Sequence, residues 1–317
     1  MAKVSEKSTN SVRIVSIDEA SAEQRIDNFL LKTLKGVPKS RIYRILRKGE
    51  VRVNKGRIRP EYRLKCGDQV RIPPVRTADR APQQAPDKDN LNWLEERIIF
   101  EDESILVLNK PAGLAVHGGS GLKYGAIECM RELRKDAHFL ELVHRLDRDT
   151  SGCLMFAKRR SHLRRLHEQL REGRIEKHYR ALLKGKWRGG TQKISCGLEK
   201  NTLSSGERVV RVSDSGKQSE SIFKPIDTTA IASYMDIHLL TGRTHQIRVH
   251  AASEGYPLAG DTKYGDKSFN QEMKQLGLKR QFLHAWSLSL THPKTGEPLN
   301  LTATLDDDLQ QVLSKLF

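Results

Sequence analysis

Along the first 75 residues, apolar positions recur first at steps of three and four and then at alternate places. This change of period divides the stretch into helices followed by strands. In AEQRIDNFLLKTL, residues Ile26, Phe29, Leu30 and Leu34 fall on one helical face. In VPKSRIYRILRKG, Ile42, Ile45 and Leu46 do the same, with Pro38 near the start and Gly49 as the stop. VRVNKGRIRPEYRLKCGDQVRIP then reads as short strands joined by turns at Asn54-Lys55-Gly56 and Cys66-Gly67-Asp68. Residues 21–75 therefore make one small α/β unit, preceded by an N-terminal tail of residues 1–20. The run PPVRTADRAPQQAPDKDN, residues 73–90, has four prolines and no period. It reads as a semi-extended linker, with residues 76–90 separating two domains.

A second unit runs over residues 91–317. It opens with RIIFEDESILVLNKPAG, two apolar runs flanking a turn, which predicts a hairpin ended by Lys110-Pro111. CLMFAK and HYRALLKG read as strands, and SHLRRLHEQLREG between them as a helix that stops at Gly173. More β-rich runs lie between residues 193 and 240, THQIRVHAASEG reads as a short helix, and DDLQQVLSKLF as a terminal one. Strands outnumber helices, and helices do not alternate regularly with strands. The expected fold is α+β with a mostly antiparallel sheet.

Charge adds a partner to this picture. The 317 residues carry a net +17. Residues 1–80 hold 20 Lys and Arg against 9 Asp and Glu, a net of +11, which leaves +6 for the remainder. A basic block concentrated in one small unit points to a polyanion, with nucleic acid ahead of an anionic membrane. In the second helix Lys39, Arg41, Arg44, Arg47 and Lys48 lie largely opposite the apolar stripe and form a candidate RNA-binding face. A membrane-surface helix fits less well, because Trp is absent there and the apolar stripe is needed for the core. No apolar run is long enough to span a bilayer, and no secretory signal precedes the first unit, so the cytoplasm is expected. Cys66, Cys129, Cys153 and Cys196 are scattered without a C-x-x-C pair, which argues against a zinc site. His245 with His250, and His162 with His167, are five apart and off a shared helical face, so no metal is expected there either.

Three polar clusters interrupt the large unit: His144-Arg145-Leu146-Asp147 continuing to Gly152, Glu176-Lys177-His178-Tyr179, and Thr241-Gly242-Arg243-Thr244-His245-Gln246-Ile247-Arg248. A carboxylate among arginines can act as a nucleophile or as half of an ion pair, and spacing alone favours the ion pair. The superficial likeness of HRLD to a kinase loop fails, since no Asn follows at the required distance and Gly118-Gly119-Ser120-Gly121 is not a kinase glycine loop.

Taken in order, NKPAG at residues 109–113, HRLDRDTSG, EKHYRALLKG and LLTGRTHQIRVHAASEGYPLAGDTKYG resemble the motifs of the RluA-type pseudouridine synthases over roughly residues 95–300. The R-I-D-x-F-L-L opening and the V-x-V-N-x-x-x-I turn of the first unit resemble the S4 RNA-binding domain. With VHGGSGL at residues 116–122, the chain is most similar to the RluC-like branch, which modifies large-subunit ribosomal RNA. The resemblance implies an isomerase that converts uridine to pseudouridine without a cofactor. Its partner would be 23S ribosomal RNA or a large-subunit precursor, and the enzyme a monomer.

The resemblance also implies roles. Asp147 would be the catalytic carboxylate, adding to the sugar, adding to the base, or taking a sugar proton. Arg248 would pair with it, Tyr179 would stack on the uracil and handle a proton, and Ile247 would pack on the other side of the base. The target nucleotide must leave its stack to be reached, and Arg145 would fill the space it vacates. His144, Asn109 and Lys110 join the expected substrate contacts. A non-catalytic RNA-binding assembly factor, or a hydrolase releasing free uracil, are the readings from other classes. The factor would have lost Asp147, Tyr179 or Arg248, and all three are present.

Overall fold

The computed structural model describes residues 11–18, 21–34, 36–75, 91–118, 124–202 and 208–317. It divides into two compact units, Met1–Gln84 and Ala85–Phe317. The expected linker, residues 76–90, and most of the VHGGSGL run lie outside the described residues.

In the first unit, strand β1 (Arg13–Ser16) is followed by helices α1 (Ile26–Thr33) and α2 (Lys39–Arg47) and strands β2 (Arg52–Val53), β3 (Gly56–Arg57) and β4 (Gln69–Ile72). The strands form an antiparallel sheet in the order β1-β4-β2-β3. Ile26, Phe29, Leu30, Ile42, Ile45 and Leu46 turn inward onto Val53, Val70 and Ile72. Asp27 ties the two helices together: 2% exposed, it accepts bonds from Arg25 Nη2 at 2.7 Å and Tyr43 Oη at 3.0 Å. Asn54 and Lys55 both have positive φ, 48° and 70°, which gives the β2–β3 turn the twist a two-residue hairpin needs. The expected tail is corrected in part. Arg13–Ser16 pairs with β4, and the pattern missed it because an edge strand with Ile14 69% exposed shows no apolar alternation.

The second unit begins with a single turn, α3 (Asn92–Glu95), and the hairpin of β5 (Ile98–Glu101) and β6 (Ile105–Lys110). Then come α4 (Ala126–Leu133), β7 (Glu141–Leu142), β8 (Ser151–Ala157), α5 (Arg160–Arg171), β9 (Glu176–Lys184), β10 (Gln192–Thr202), β11 (Arg208–Val212), β12 (Lys217–Thr228) and β13 (Ala232–Leu239). The chain ends with α6 (Gln246–Ser253), α7 (Lys267–Gln275), β14 (Leu283–Thr291), β15 (Pro298–Thr302) and α8 (Asp307–Leu316). An 11-stranded sheet runs β11-β10-β12-β13-β9-β14-β8-β6-β5, with β15 on β14 and β7 on β8. The α+β class and the largely antiparallel sheet are as the sequence indicates, and β14–β8 is the parallel pairing.

That pairing places the site. Gly152 has φ 104°, and a Cβ there would lie 2.2 Å from the Ala285 carbonyl oxygen, so only glycine lets β8 and β14 approach. Every residue of β6 and β8 is buried, as suits central strands covered on both faces. One face meets Ile127, Met130 and Leu166 from α4 and α5. A second core gathers Leu182 and Phe282 with Phe269, Met273, Leu309 and Val312 from α7 and α8. Among the described residues, no helix is long and apolar enough to cross a membrane.

Candidate active site

Asp147 stands in the loop between β7 and β8, and several bonds fix that loop. The N–H of Val143 donates to the Met155 carbonyl at 2.9 Å, and the N–H of Thr150 to the carbonyl of Asp147 itself at 3.2 Å. From below, Lys110 Nζ donates to the carbonyls of Arg148 at 2.9 Å and of Pro111 and Leu114 at 2.8 Å. A loop held at this many points presents its carboxylate without having to be ordered by substrate. Leu146 faces the core, Arg145 faces solvent, and the Asp147 side chain is 30% exposed.

The partner of Asp147 comes from the first turn of α6. His245 caps that helix in the left-handed region, φ 54°, an uncommon conformation that histidine tolerates better than most residues. The Gln246 side chain secures the turn: its amide oxygen accepts from Thr241 Oγ1 at 2.8 Å and the Arg243 N–H at 3.0 Å, and its nitrogen donates to Ser221 Oγ at 2.8 Å. Arg248 then reaches in two directions. Its Nη1 lies 3.3 Å from Asp147 Oδ2, while Nε and Nη2 grip Asp261 at 2.7 and 2.8 Å in a bidentate pair. Burial works to lower the Arg248 pKa, but the Asp261 and Asp147 carboxylates outweigh it and the value rises. Burial works to raise Asp261, yet Arg248 and the N–H groups of Tyr264 and Lys263 hold it below its usual range. Asp147 Oδ2 is thus anchored, whereas Oδ1 takes no hydrogen bond from the described residues.

Tyr179 is supplied by β9, whose alternation turns Lys177, Tyr179 and Ala181 to the main core and His178 and Arg180 to the opposite face. Tyr179 is 8% exposed, and burial followed by the nearby Asp147 charge pushes its hydroxyl pKa above the ordinary value. Ile247, 4% exposed, sits between His245 and Arg248 and packs into the same core as Tyr179.

Other expected contacts fall elsewhere. Lys110 is fully buried, and its ammonium donates to three carbonyls that include Arg148 of the Asp147 loop. Burial pushes its pKa down to about 7. Asn109, on the adjacent position of β6, is buried too, and its amide donates to the Thr304 carbonyl at 3.0 Å. His144 Nε2 accepts the Met155 N–H at 3.2 Å, so that nitrogen anchors the loop to β8, and burial lowers the ring pKa to about 4. In the first unit Lys39, Arg44, Arg47 and Lys48 are exposed and Arg41 half-buried. Sequence reasoning gave no role to Asp261 or Tyr264. Both lie in the quoted GDTKYG run, where an acidic residue directly after the apolar PLAG was the available signal. Among the described residues no group of three His, Cys, Asp or Glu side chains could hold a metal ion. The four cysteines are free thiols, and burial pushes Cys153 up to about 12, far from a reactive thiolate.

The chain is similar to known proteins. Residues 104–253 match the family described as RNA pseudouridylate synthase, and residues 24–70 match the S4 domain. The chain is 57% identical to ribosomal large subunit pseudouridine synthase C of Pasteurella multocida, covering 99% of this chain and 97% of that one. It is 56% identical to the protein of that name from Haemophilus influenzae, covering 100% and 99%, and 55% identical to that from Escherichia coli K12, covering 97% and 98%. Among solved structures it is similar to human RNA pseudouridylate synthase domain containing 4. That likeness has a TM-score of 0.61 at 25% identity, over 72% of this chain and 96% of the other.

Proposed function

This chain belongs to the RNA pseudouridylate synthase family, and we propose that it isomerises uridines of large-subunit ribosomal RNA in the cytoplasm, with Asp147 as the catalytic carboxylate. The reaction breaks the N1–C1′ bond of uridine and joins C5 to C1′. A proton leaves C5 and one is gained at N1, so nothing is oxidised or reduced. The observation that carries the assignment of Asp147 is its divided environment: Oδ2 is fixed by Arg248, itself locked on Asp261, and Oδ1, unbonded among the described residues, is left for the nucleotide. An anchored carboxylate with one unoccupied oxygen can act on sugar or base without first shedding a protein partner.

Tyr179 and Ile247 line the same core and supply apolar surface for a flipped-out uracil, and the Tyr179 hydroxyl is available for proton handling. Arg145, exposed beside Asp147, is free to enter the stack the base has left. The S4 unit, with the basic side of α2, would hold the RNA phosphates. The test is nucleoside analysis of a large-subunit ribosomal RNA fragment after incubation. Pseudouridine without free uracil is expected. Free uracil would indicate a hydrolase, and unchanged RNA a binding factor.

A further inference from the structure

Tyr264 occupies a position no part of the reaction has so far used. Its hydroxyl has two neighbours: the backbone N–H of Val210, 2.8 Å away on β11, and His245 Nδ1, also at 2.8 Å. A backbone N–H only donates, so the hydroxyl oxygen accepts from Val210 and its own proton is left for His245. With that proton given to the imidazole, His245 Nδ1 is the accepting nitrogen, which puts the imidazole proton on Nε2. Nε2 is the nitrogen that faces the active site, 3.8 Å from Asp147 Oδ2. Burial, acting first, keeps Tyr264 protonated and His245 neutral, as this arrangement requires.

We propose that Tyr264 is a positioning residue for the isomerisation: its hydroxyl holds His245 in the Nε2–H tautomer, so that a neutral N–H donor stands over the Asp147 carboxylate. The 3.8 Å gap is just beyond a hydrogen bond, and gaps of this kind close when substrate compresses an active site. With the wrong tautomer, the lone pair of Nε2 would face the carboxylate and repel it. The ring of Tyr264 has a separate duty, since the Arg248 guanidinium lies 5.0 Å from its centroid. The two duties can be separated, because phenylalanine keeps the ring and drops the hydroxyl. The proposal rests on the reading of Asp147 as the catalytic carboxylate.

The experiment compares the full-length protein with Tyr264→Phe, using histidine labelled with ¹⁵N and the His245 signals assigned through His245→Gln. Three quantities are measured: the imidazole nitrogen shifts, the single-turnover rate on a large-subunit ribosomal RNA fragment, and RNA affinity. In the parent protein His245 should carry its proton on Nε2. Tyr264→Phe should show a mixture of tautomers and a single-turnover rate lower by about tenfold, as for loss of one bond serving a charged group, with affinity unchanged. A parent protein with the proton on Nδ1 overturns the proposal. So does a variant that keeps either the parent tautomer or the parent rate. Asp147→Asn is run alongside: if it stays active, the proposed role of Asp147 fails, while the tautomer assignment is still decided by the spectra.

Discussion

Two regions of this chain use the same charged residues in opposite ways. On α2 and at its C-cap, Lys39, Arg44, Arg47 and Lys48 stand in solvent opposite an apolar stripe. Around Asp147 the decisive charges are buried and bonded at fixed points: Arg248, 8% exposed, is paired with Asp261, 1% exposed, and the fully covered Lys110 is held by three carbonyls. Exposed cations attract a polyanion from any direction and are screened by salt. Buried ones are held at one angle by partners that cannot be removed without leaving a charge stranded. Net charge therefore reports the S4 unit, and the proposed chemistry lies in the part of the chain that contributes little to it.

The contrast can be broken most sharply at Asp147. Asp147→Asn should leave only traces of pseudouridine while RNA affinity stays close to that of the parent, measured by nucleoside analysis and a binding titration. Product near the normal level would remove this residue from the chemistry. Tyr179→Phe should cut the single-turnover rate by roughly 100-fold, the scale of lost proton handling, with binding kept. A normal rate would leave only the ring with a role.

Arg248→Met tests whether the buried pairing is structural as well as chemical. It leaves the Asp261 carboxylate uncompensated and should cost about 3–5 kcal/mol of stability at pH 7, read by denaturant unfolding. Asp261 is held below its ordinary 3.8 in the folded chain, so its contribution is complete above that value and fades as pH falls through the lower, folded one. The difference between parent and variant should accordingly shrink below about pH 4. An equal gap at pH 7 and pH 3 would break the ion-pair account. The smallest effect on folding belongs to α2. Replacing Lys39, Arg44, Arg47 and Lys48 with Gln should change stability by less than about 0.5 kcal/mol. The salt dependence of RNA binding should flatten by about 0.7 to 0.9 per lost phosphate contact. A slower reaction at saturating RNA would show that the two regions are not separate in function.

Legibility in the sequence follows the same division. Helices α1, α2 and α5 are legible by period and by stops such as Gly49 and Gly173, and the β5–β6 hairpin by two apolar runs around a turn. Strand β14 is not, because LHAWSLSLT carries no turn signal at its start and two of its partners, β9 and β8, lie far away in sequence. At the site, the motif strings brought Asp147, Tyr179 and Arg248 forward, and Arg248 is found against Asp147. Direction was what the strings could not convey. Nothing in NKPAG says that Asn109 and Lys110 point inward, since a lysine is rarely fully buried and only three waiting carbonyls make it possible here. Asp261 and Tyr264 matter through a partner reached only after folding, which no local pattern encodes.

The order of strands in the large sheet also sets a timetable. Strand β8, which carries the chain away from Asp147, lies between β6 and β14, and β14 ends at Thr291. During synthesis at about 5–20 residues per second, the N-terminal unit can close on itself while β8 waits on the order of ten seconds for its neighbour. Through that interval an apolar strand edge is open on the nascent chain. The chain thus completes its S4 unit long before it acquires a floor for the Asp147 loop, and folding of the second unit is governed by late, distant pairings.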